Sequence, residues 1–329
     1  MGGKFGGKQY AARSNSSMQV TLVNSENGIK EGNSTSTMKL LEDRLKQIIP
    51  KKADMKKLNS SLRTIYDGID KSAHLVGIHL FGSTVKDTNV TSSRKPDIDS
   101  LFELDFNLYK NLLEQKNGSK KALYVIYKAL RRKYPDIEIK IDGCSLVIKQ
   151  SDTYYDIVPA LKKPGMEGYY IPDNDNKTWT ISDPRRSIRI LKIVDRKYDG
   201  KAKAMIRLIK HINEKEKLGL KSIHIENMVI GFLDQVEYKA NDPLQYYLED
   251  FLVRFPNYIK SGTLKDPSTE EIMGRYLDSE ARTKAAKYAA SLAQMATSAK
   301  QEGEKGHLEE ETKILKKIMD KGEIDNDKK

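Results

Sequence analysis

Phe81-Gly82-Ser83, followed after thirteen intervening residues by Asp97-Ile98-Asp99, is the stretch that decides the fold. Val76, Ile78 and Leu80 alternate just before it, as one face of a strand does, so the chain runs from a strand straight into a Gly-Ser turn. Glycine permits close backbone approach to a phosphate, and the Ser83 hydroxyl adds a donor to the exposed amides. Two aspartates at i and i+2 of a strand point to one face, where both can reach the hard divalent cations that accompany a nucleoside triphosphate. A third acid stands in Tyr154-Tyr155-Asp156-Ile157-Val158-Pro159, an apolar strand-like run in which a carboxylate demands a partner. A Gly-Ser turn alone is common, and an Asp-x-Asp alone is most often a solvated strand edge. In this order and at this spacing they are the kit for metal-assisted nucleotidyl transfer. Asp97, Asp99 and Asp156 are then both catalytic residues and ligands of two Mg2+ or Mn2+ ions.

Outward from that stretch, periodicity predicts an α/β (α+β) chain. Leu40, Leu41, Leu45 and Ile48 mark a helix stopped at Pro50, and Met55, Leu58, Leu62, Ile65 and Tyr66 a second ending near Gly68. A strand is expected from Ile98 to Phe106, a helix around Leu123, Ile126 and Leu130, and a hairpin at Asp142-Gly143 between Ile137–Ile141 and Ser145–Lys149. The Asp156 strand is read as ending at Pro159. From Asp183 the pattern turns helical, with Asp183-Pro184 and Asp242-Pro243 as cap-plus-proline starts. Ser268-Thr269-Glu270-Glu271 reads as a capping box opening a long Ala-rich helix to about Ala299. The expected organisation is an arm over 1–35, a catalytic core with a mixed sheet over 36–165, a helical lobe closing a central cleft over 166–305, and a charged, solvated tail over 306–329.

The 329 residues carry 58 Lys+Arg against 46 Asp+Glu, a formal charge of +12 that suits polyanionic ligands without distinguishing among them. Cys144 is the only cysteine, which excludes an intrachain disulfide and a thiolate zinc site and fits a reducing cytoplasm. No run approaches the ~20 apolar residues of a membrane span, and Met1-Gly2-Gly3-Lys4-Phe5-Gly6-Gly7 lacks a secretory signal's apolar core. The five histidines show no metal-binding spacing.

Gly82-Ser83, its spacer, Asp97-Ile98-Asp99 and Asp156-Ile157-Val158-Pro159-Ala160 resemble the polymerase-β-type nucleotidyltransferase superfamily. Ile206-Arg207-Leu208-Ile209-Lys210-His211-Ile212-Asn213 and Leu220-Lys221-Ser222-Ile223-His224-Ile225-Glu226 resemble two segments of the cGAS/DncV-like nucleotidyltransferases (CD-NTases). These are a lysine-bearing helix and a Lys-Ser-aromatic-x-x-Glu stretch. The Ala-rich helix ending in Gly303-Glu304-Lys305-Gly306-His307 is similar to the C-terminal part of bacterial members, so the resemblance spans residues 36 to about 315. It implies template-independent synthesis of a cyclic di- or trinucleotide messenger from nucleoside triphosphates, ATP among them, in bacterial anti-phage (CBASS) signalling. It also implies a monomeric, cytoplasmic enzyme under a regulatory protein or nucleic-acid activator. Gly82 and Ser83 would hold the donor phosphates, with Lys210 and Ser222 closing on them. Three departures stand out: Asp87-Thr88 where the family often has Gly-Thr, Ile223 at the base-stacking aromatic, and Ile314-Leu315-Lys316-Lys317-Ile318 in place of a Trp-containing helix. Blander readings make Lys210 a solvated helix residue and Ser222 a helix N-cap. Alternative functions are an RNA-directed enzyme of the same fold (CCA-adding or poly(A)-type) and a non-catalytic nucleotide sensor.

Overall fold

The computed structural model describes residues 36–50, 55–91, 97–150, 153–173 and 178–320; the arm expected over 1–35, with its one apolar run at 18–23, lies outside them. In chain order the elements begin with helices α1 (Ser36–Ile48) and α2 (Met55–Ala73), strand β1 (Leu75–Phe81), short helix α3 (Gly82–Lys86) and strand β2 (Asp97–Leu104). Helices α4 (Phe106–Tyr109) and α5 (Gly118–Lys133) precede strands β3 (Ile139–Asp142), β4 (Ser145–Gln150), β5 (Thr153–Leu161), β6 (Tyr169–Asp173) and β7 (Thr178–Ser182). Helices α6 (Pro184–Lys197), α7 (Lys201–Lys215), α8 (Ser222–Leu233), α9 (Leu244–Ser261), α10 (Ser279–Glu304) and α11 (Leu308–Asp320) follow.

The sheet runs β1-β2-β5-β4-β3, with β6 and β7 branching from the end of β5. Only the β2–β5 pair is parallel among the described strands, so the sheet is mixed, as expected. Alternation gives the sheet two different faces. Ile98, Phe102, Leu104, Tyr155 and Ile157 pack against Leu62, Ile65 and Ile69 of α2 and Leu123, Ile126 and Leu130 of α5. Leu101, Val158, Ala160 and Tyr169 form a smaller core on the opposite side, the face that also carries Asp99 and Asp156.

The second large core joins α6 to α11 and includes Leu41 and Ile48 of α1. The apolar cores therefore divide the chain differently from the sequence boundaries. Helix α1 packs with the C-terminal helices, and the sheet extends through β7 to Ser182.

Several expectations are corrected. Helix α2 passes through Gly68 because Tyr134 crosses there: an added Cβ would overlap the Tyr134 hydroxyl, which donates to Thr64 O at 3.2 Å. Strand β2 stops at Leu104, since Asp105 turns the chain and caps α4 by accepting from Asn107 N at 2.8 Å. Strand β5 continues through Pro159, beyond the last β4 partner at Ile157, so the missing N–H costs no bond to β4. Asp183 caps α6 as expected, accepting from Arg186 N at 2.9 Å, whereas Asp242 accepts from Lys239 N and leaves Pro243 as the N-cap of α9. The Ser268–Glu271 segment opens no helix. Ser268 turns back onto Asp266, and Glu271 accepts from Ile181 N of β7; α10 starts at Ser279 with Asp278 as its cap.

The largest correction concerns the tail. Residues 308–320 form α11, whose Leu315, Ile318 and Met319 are buried while Lys316 and Lys317 stay exposed. Its i, i+3, i+4 apolar stripe is masked in the sequence by charge on the other face. Thr37 of α1 bonds Thr312 at 2.6 Å, and Arg44 pairs with Asp320. Leu315→Ala should therefore cost about 2–5 kcal/mol of unfolding free energy in urea titration. A loss under about 0.5 kcal/mol, typical of a surface site, would show that α11 is not docked.

Candidate functional site

Strand β1 ends with Phe81 in extended geometry, and Gly82 takes a φ of +78° before α3 begins. Only glycine serves here on two counts: φ is positive, and a Cβ would fall on the Asp99 carboxylate. The turn is thus packed directly against the first acid. Thr88 N donates to Ser83 O at 2.9 Å and closes the loop behind it.

Sheet register brings the acids together. Phe81 stands opposite Asp99 across the antiparallel β1–β2 pair, and Asp99 stands beside Asp156 across the parallel β2–β5 pair. Neighbouring strands lie about 4.8 Å apart, so these two half-buried carboxylates are lateral neighbours. Asp97 opens β2, its backbone in register with Tyr154. Cys144, at the β3–β4 turn, senses the same site. Burial raises its thiol above the ordinary value; the Lys221 ammonium opposes that shift, and Asp156 and Asp99 add to it. Turn, both strands and the start of α8 are therefore electrostatically linked.

Lys210, expected as a phosphate clamp or a solvated residue, is only 3% exposed and lies in a buried polar network. Its Nζ donates to Glu226 Oε1 at 2.8 Å, Thr88 Oγ1 at 3.1 Å and Thr88 O at 3.3 Å. The other Glu226 oxygen accepts from Lys86 Nζ at 2.7 Å, and Lys86 also reaches Ser187 Oγ at 2.8 Å. One carboxylate thus ties the end of the Gly82 turn to α6, α7 and α8. Burial opposes ionisation of Glu226, but the ammonium groups of Lys210 and Lys86 outweigh it and hold its carboxyl at about 2, below the ordinary 4.5. Burial lowers the pKa of Lys210 despite Glu226 beside it. Two ammoniums against one carboxylate leave the network with an excess positive charge next to the Gly82 turn.

Ser222 is exposed and is the first residue of α8; Lys221, not Ser222, occupies the cap position, without a side-chain cap bond. Tyr276 fixes that helix start, its hydroxyl accepting from Lys221 N at 2.8 Å while the Lys221 ammonium lies 4.7 Å from its ring centre. Asp87 replaces the family's frequent glycine and adopts φ +55°. Its carboxylate bonds Arg207 at 2.6 Å and Lys203 at 3.4 Å, which offsets the roughly 1–2 kcal/mol of left-handed backbone strain. His79 is a strand residue as expected, paired with Glu103 at 2.8 Å.

Gly82, Ser83, Asp99 and Asp156 are thus assembled at one sheet end, with Lys210 behind the turn and Ser222 at the start of α8. Lys86, Thr88 and Tyr276 join them and were not legible as site residues. Among the described residues no cluster of three metal-ligating side chains forms. The Asp99–Asp156 pair nonetheless suits a hard divalent cation, because adjacent carboxylates held on β-strands are oxygen donors whose repulsion a cation relieves.

Glu226→Gln should destabilise the fold by about 3–5 kcal/mol at neutral pH, because it strands two buried ammoniums. A carboxyl depressed on folding stabilises fully above its unfolded value and loses that contribution as pH falls toward its folded one. The gap between wild type and variant in urea titration should therefore be full above about pH 4.5 and narrow on acidification toward about pH 2. A pH-independent gap would contradict the ion-pair assignment.

Comparison with known proteins follows the same lines. Residues 36–194 match the family model of the Second Messenger Oligonucleotide or Dinucleotide Synthetase (SMODS) domain. No curated protein matches by sequence. Among solved structures, the CD-NTase CdnG of Bradyrhizobium diazoefficiens in complex with GTP superimposes with a TM-score of 0.62 at 12% identity, covering 86% of this chain and 98% of that one. The Escherichia coli MS115-1 CdnC:HORMA complex gives 0.59 at 16% identity, covering 80% and 91%. Vibrio cholerae DncV, a cyclic AMP-GMP synthase in complex with a linear intermediate, gives 0.53 at 13%, covering 80% and 81%. These likenesses establish the fold. Residues 36–194 thus match the SMODS family model, and the chain shares the fold of the cGAS/DncV-like nucleotidyltransferases.

Proposed function

We propose that the chain joins nucleoside triphosphates into a cyclic di- or trinucleotide messenger, with Asp97, Asp99 and Asp156 at the reacting centre and a role in anti-phage signalling. The observation that carries this reading is the parallel register of Asp99 with Asp156, against a turn that only glycine can make. Amides after Gly82 and the Ser83 hydroxyl hold the donor phosphates. Ser222 and the amides opening α8 close on them from the helical side. The excess charge of the Lys86–Glu226–Lys210 network supports the triphosphate from behind the turn, so Lys210 acts through position and charge. Asp97, Asp99 and Asp156 are the groups that would hold a pair of divalent ions, which when bound offset triphosphate charge and ease loss of the attacking hydroxyl's proton. In this reading Asp156 orients that hydroxyl, which attacks the α-phosphorus and displaces pyrophosphate.

GTP bound to CdnG and ATP with CdnC point to purine triphosphates as substrates, and the CdnC:HORMA complex supports a protein regulator. None of the described helices is long and apolar enough to cross a membrane, in keeping with action in the cytoplasm.

Purified protein incubated with labelled ATP, GTP, CTP and UTP and Mg2+ or Mn2+ should give a phosphatase-resistant product whose mass corresponds to a closed di- or trinucleotide. A phosphatase-sensitive ladder would instead favour a linear polymerase. Asp99→Asn combined with Asp156→Asn should abolish product at an unchanged or higher melting temperature, since the change is isosteric and removes like-charge repulsion. Retention of more than about 1% of activity, against the 10²-fold or larger losses typical of removing such a group, would overturn the assignment.

A further inference from the structure

A cavity of about 230 Å³ opens between α9, α10 and α11, away from the sheet that carries the acids. Its floor is Gln245, Glu249 and Glu311, and Tyr246, Glu304 and Leu308 stand exposed at its rim. Glu249 and Glu311 are 2% and 1% exposed, an unusual place for two carboxyl groups in a chain of net charge +12. Glu311 is well supplied with donors: Gln245 Nε2 reaches Oε1 at 3.1 Å, and Thr37 Oγ1 reaches Oε2 at 3.4 Å. Glu249 Oε1 is different. That oxygen is buried and has no hydrogen-bond partner among the described residues, while the carboxyl group as a whole lines the cavity and shares a hydrogen bond with Glu311.

The neighbouring charges do not satisfy it. Lys300 of α10 also lines the cavity, but its ammonium bonds Asp250 Oδ1 at 2.8 Å, and Tyr238 donates to Asp250 Oδ2 at 2.6 Å. Glu304 adds a further carboxylate at the rim. The result is a pocket rich in acceptors, with an aromatic ring at the mouth and its one lysine already engaged.

We propose that this cavity binds a small organic cation, an alkyl guanidinium or ammonium head group, seated on Glu249 and Glu311 with Tyr246 at its rim. Planar N–H donors match paired carboxyl oxygens, and a tyrosine face attracts a desolvated cation. Burial first, and the Glu311 carboxylate second, push the Glu249 carboxyl up to about 8, with Lys300 opposing and Asp250 adding. At neutral pH Glu249 therefore holds a proton. A bound cation replaces that proton, which leaves to solvent, so binding tightens as pH rises through about 8.

Titration calorimetry of the full chain with n-butylguanidinium chloride, and separately with n-butylammonium chloride, tests this. Saturable binding of one equivalent of at least one cation is expected, with a heat that depends on the buffer's own ionisation enthalpy. Guanidinium preference indicates an arginine-like ligand; ammonium preference indicates a lysine- or polyamine-like one. Glu249→Gln, which removes a titrating group from a like-charge pair and keeps its shape, should cut affinity at least about tenfold and abolish the buffer dependence. Tyr246→Ala, at an exposed position, should weaken binding several-fold in a fully folded chain. Absence of saturable binding of either cation up to about 20 mM, or affinities unchanged by both substitutions, would overturn the proposal.

Discussion

Pairing β2 with β5 in parallel, with Asp99 beside Asp156, forces two carboxylates into neighbouring half-buried positions on one face of the sheet. At about 5 Å and an effective dielectric near 20, their mutual repulsion is about 3 kcal/mol. The surrounding sequence follows from that constraint. The residue facing Asp99 from the turn has no side chain, because the carboxylate already fills the space a Cβ would need. The opposite side of the same strands is largely apolar, Ile98, Phe102, Tyr155 and Ile157 anchoring them against α2 and α5 so that the register cannot slip. A one-residue slip would put the acids into that core.

Glu226 solves the second problem, that of connecting this sheet end to the helices. A lone buried carboxylate would be costly, and so would either lysine. Together Lys86, Thr88, Lys210 and Glu226 satisfy one another across three helices, and the network fixes the end of the Gly82 turn rigidly. That rigidity explains how Asp87 is tolerated in left-handed geometry: Arg207, on the same helix as Lys210, holds its carboxylate. A lysine read from sequence as a triphosphate clamp is, in the fold, a buried cation paired with Glu226.

Much of this was legible in the chain. Alternation at Val76, Ile78 and Leu80, the spacing to Asp97 and Asp99, and the apolar setting of Asp156 signalled the mixed sheet and the acids, because strand periodicity and motif order are local properties. Long-range partners were not. Nothing near Glu226 in sequence marks Lys86, 140 residues earlier, as its ion-pair partner. Charge on one face hid the apolar stripe of α11, and Ser268–Glu271 imitated a cap because its acid is used by β7, 90 residues away. Pro159 looked terminal only because its missing neighbour strand is invisible in a linear reading.

In the proposed function Asp99 and Asp156, made adjacent by strand register, form a divalent-cation site that a triphosphate completes. Mn2+ binding followed by electron paramagnetic resonance, in the presence of a non-hydrolysable ATP analogue, tests it without relying on turnover. Wild type should bind about two Mn2+ per chain with the analogue present, and Asp156→Asn should lose at least one of them with no fall in melting temperature. Equal Mn2+ binding by wild type and Asp156→Asn would contradict the account.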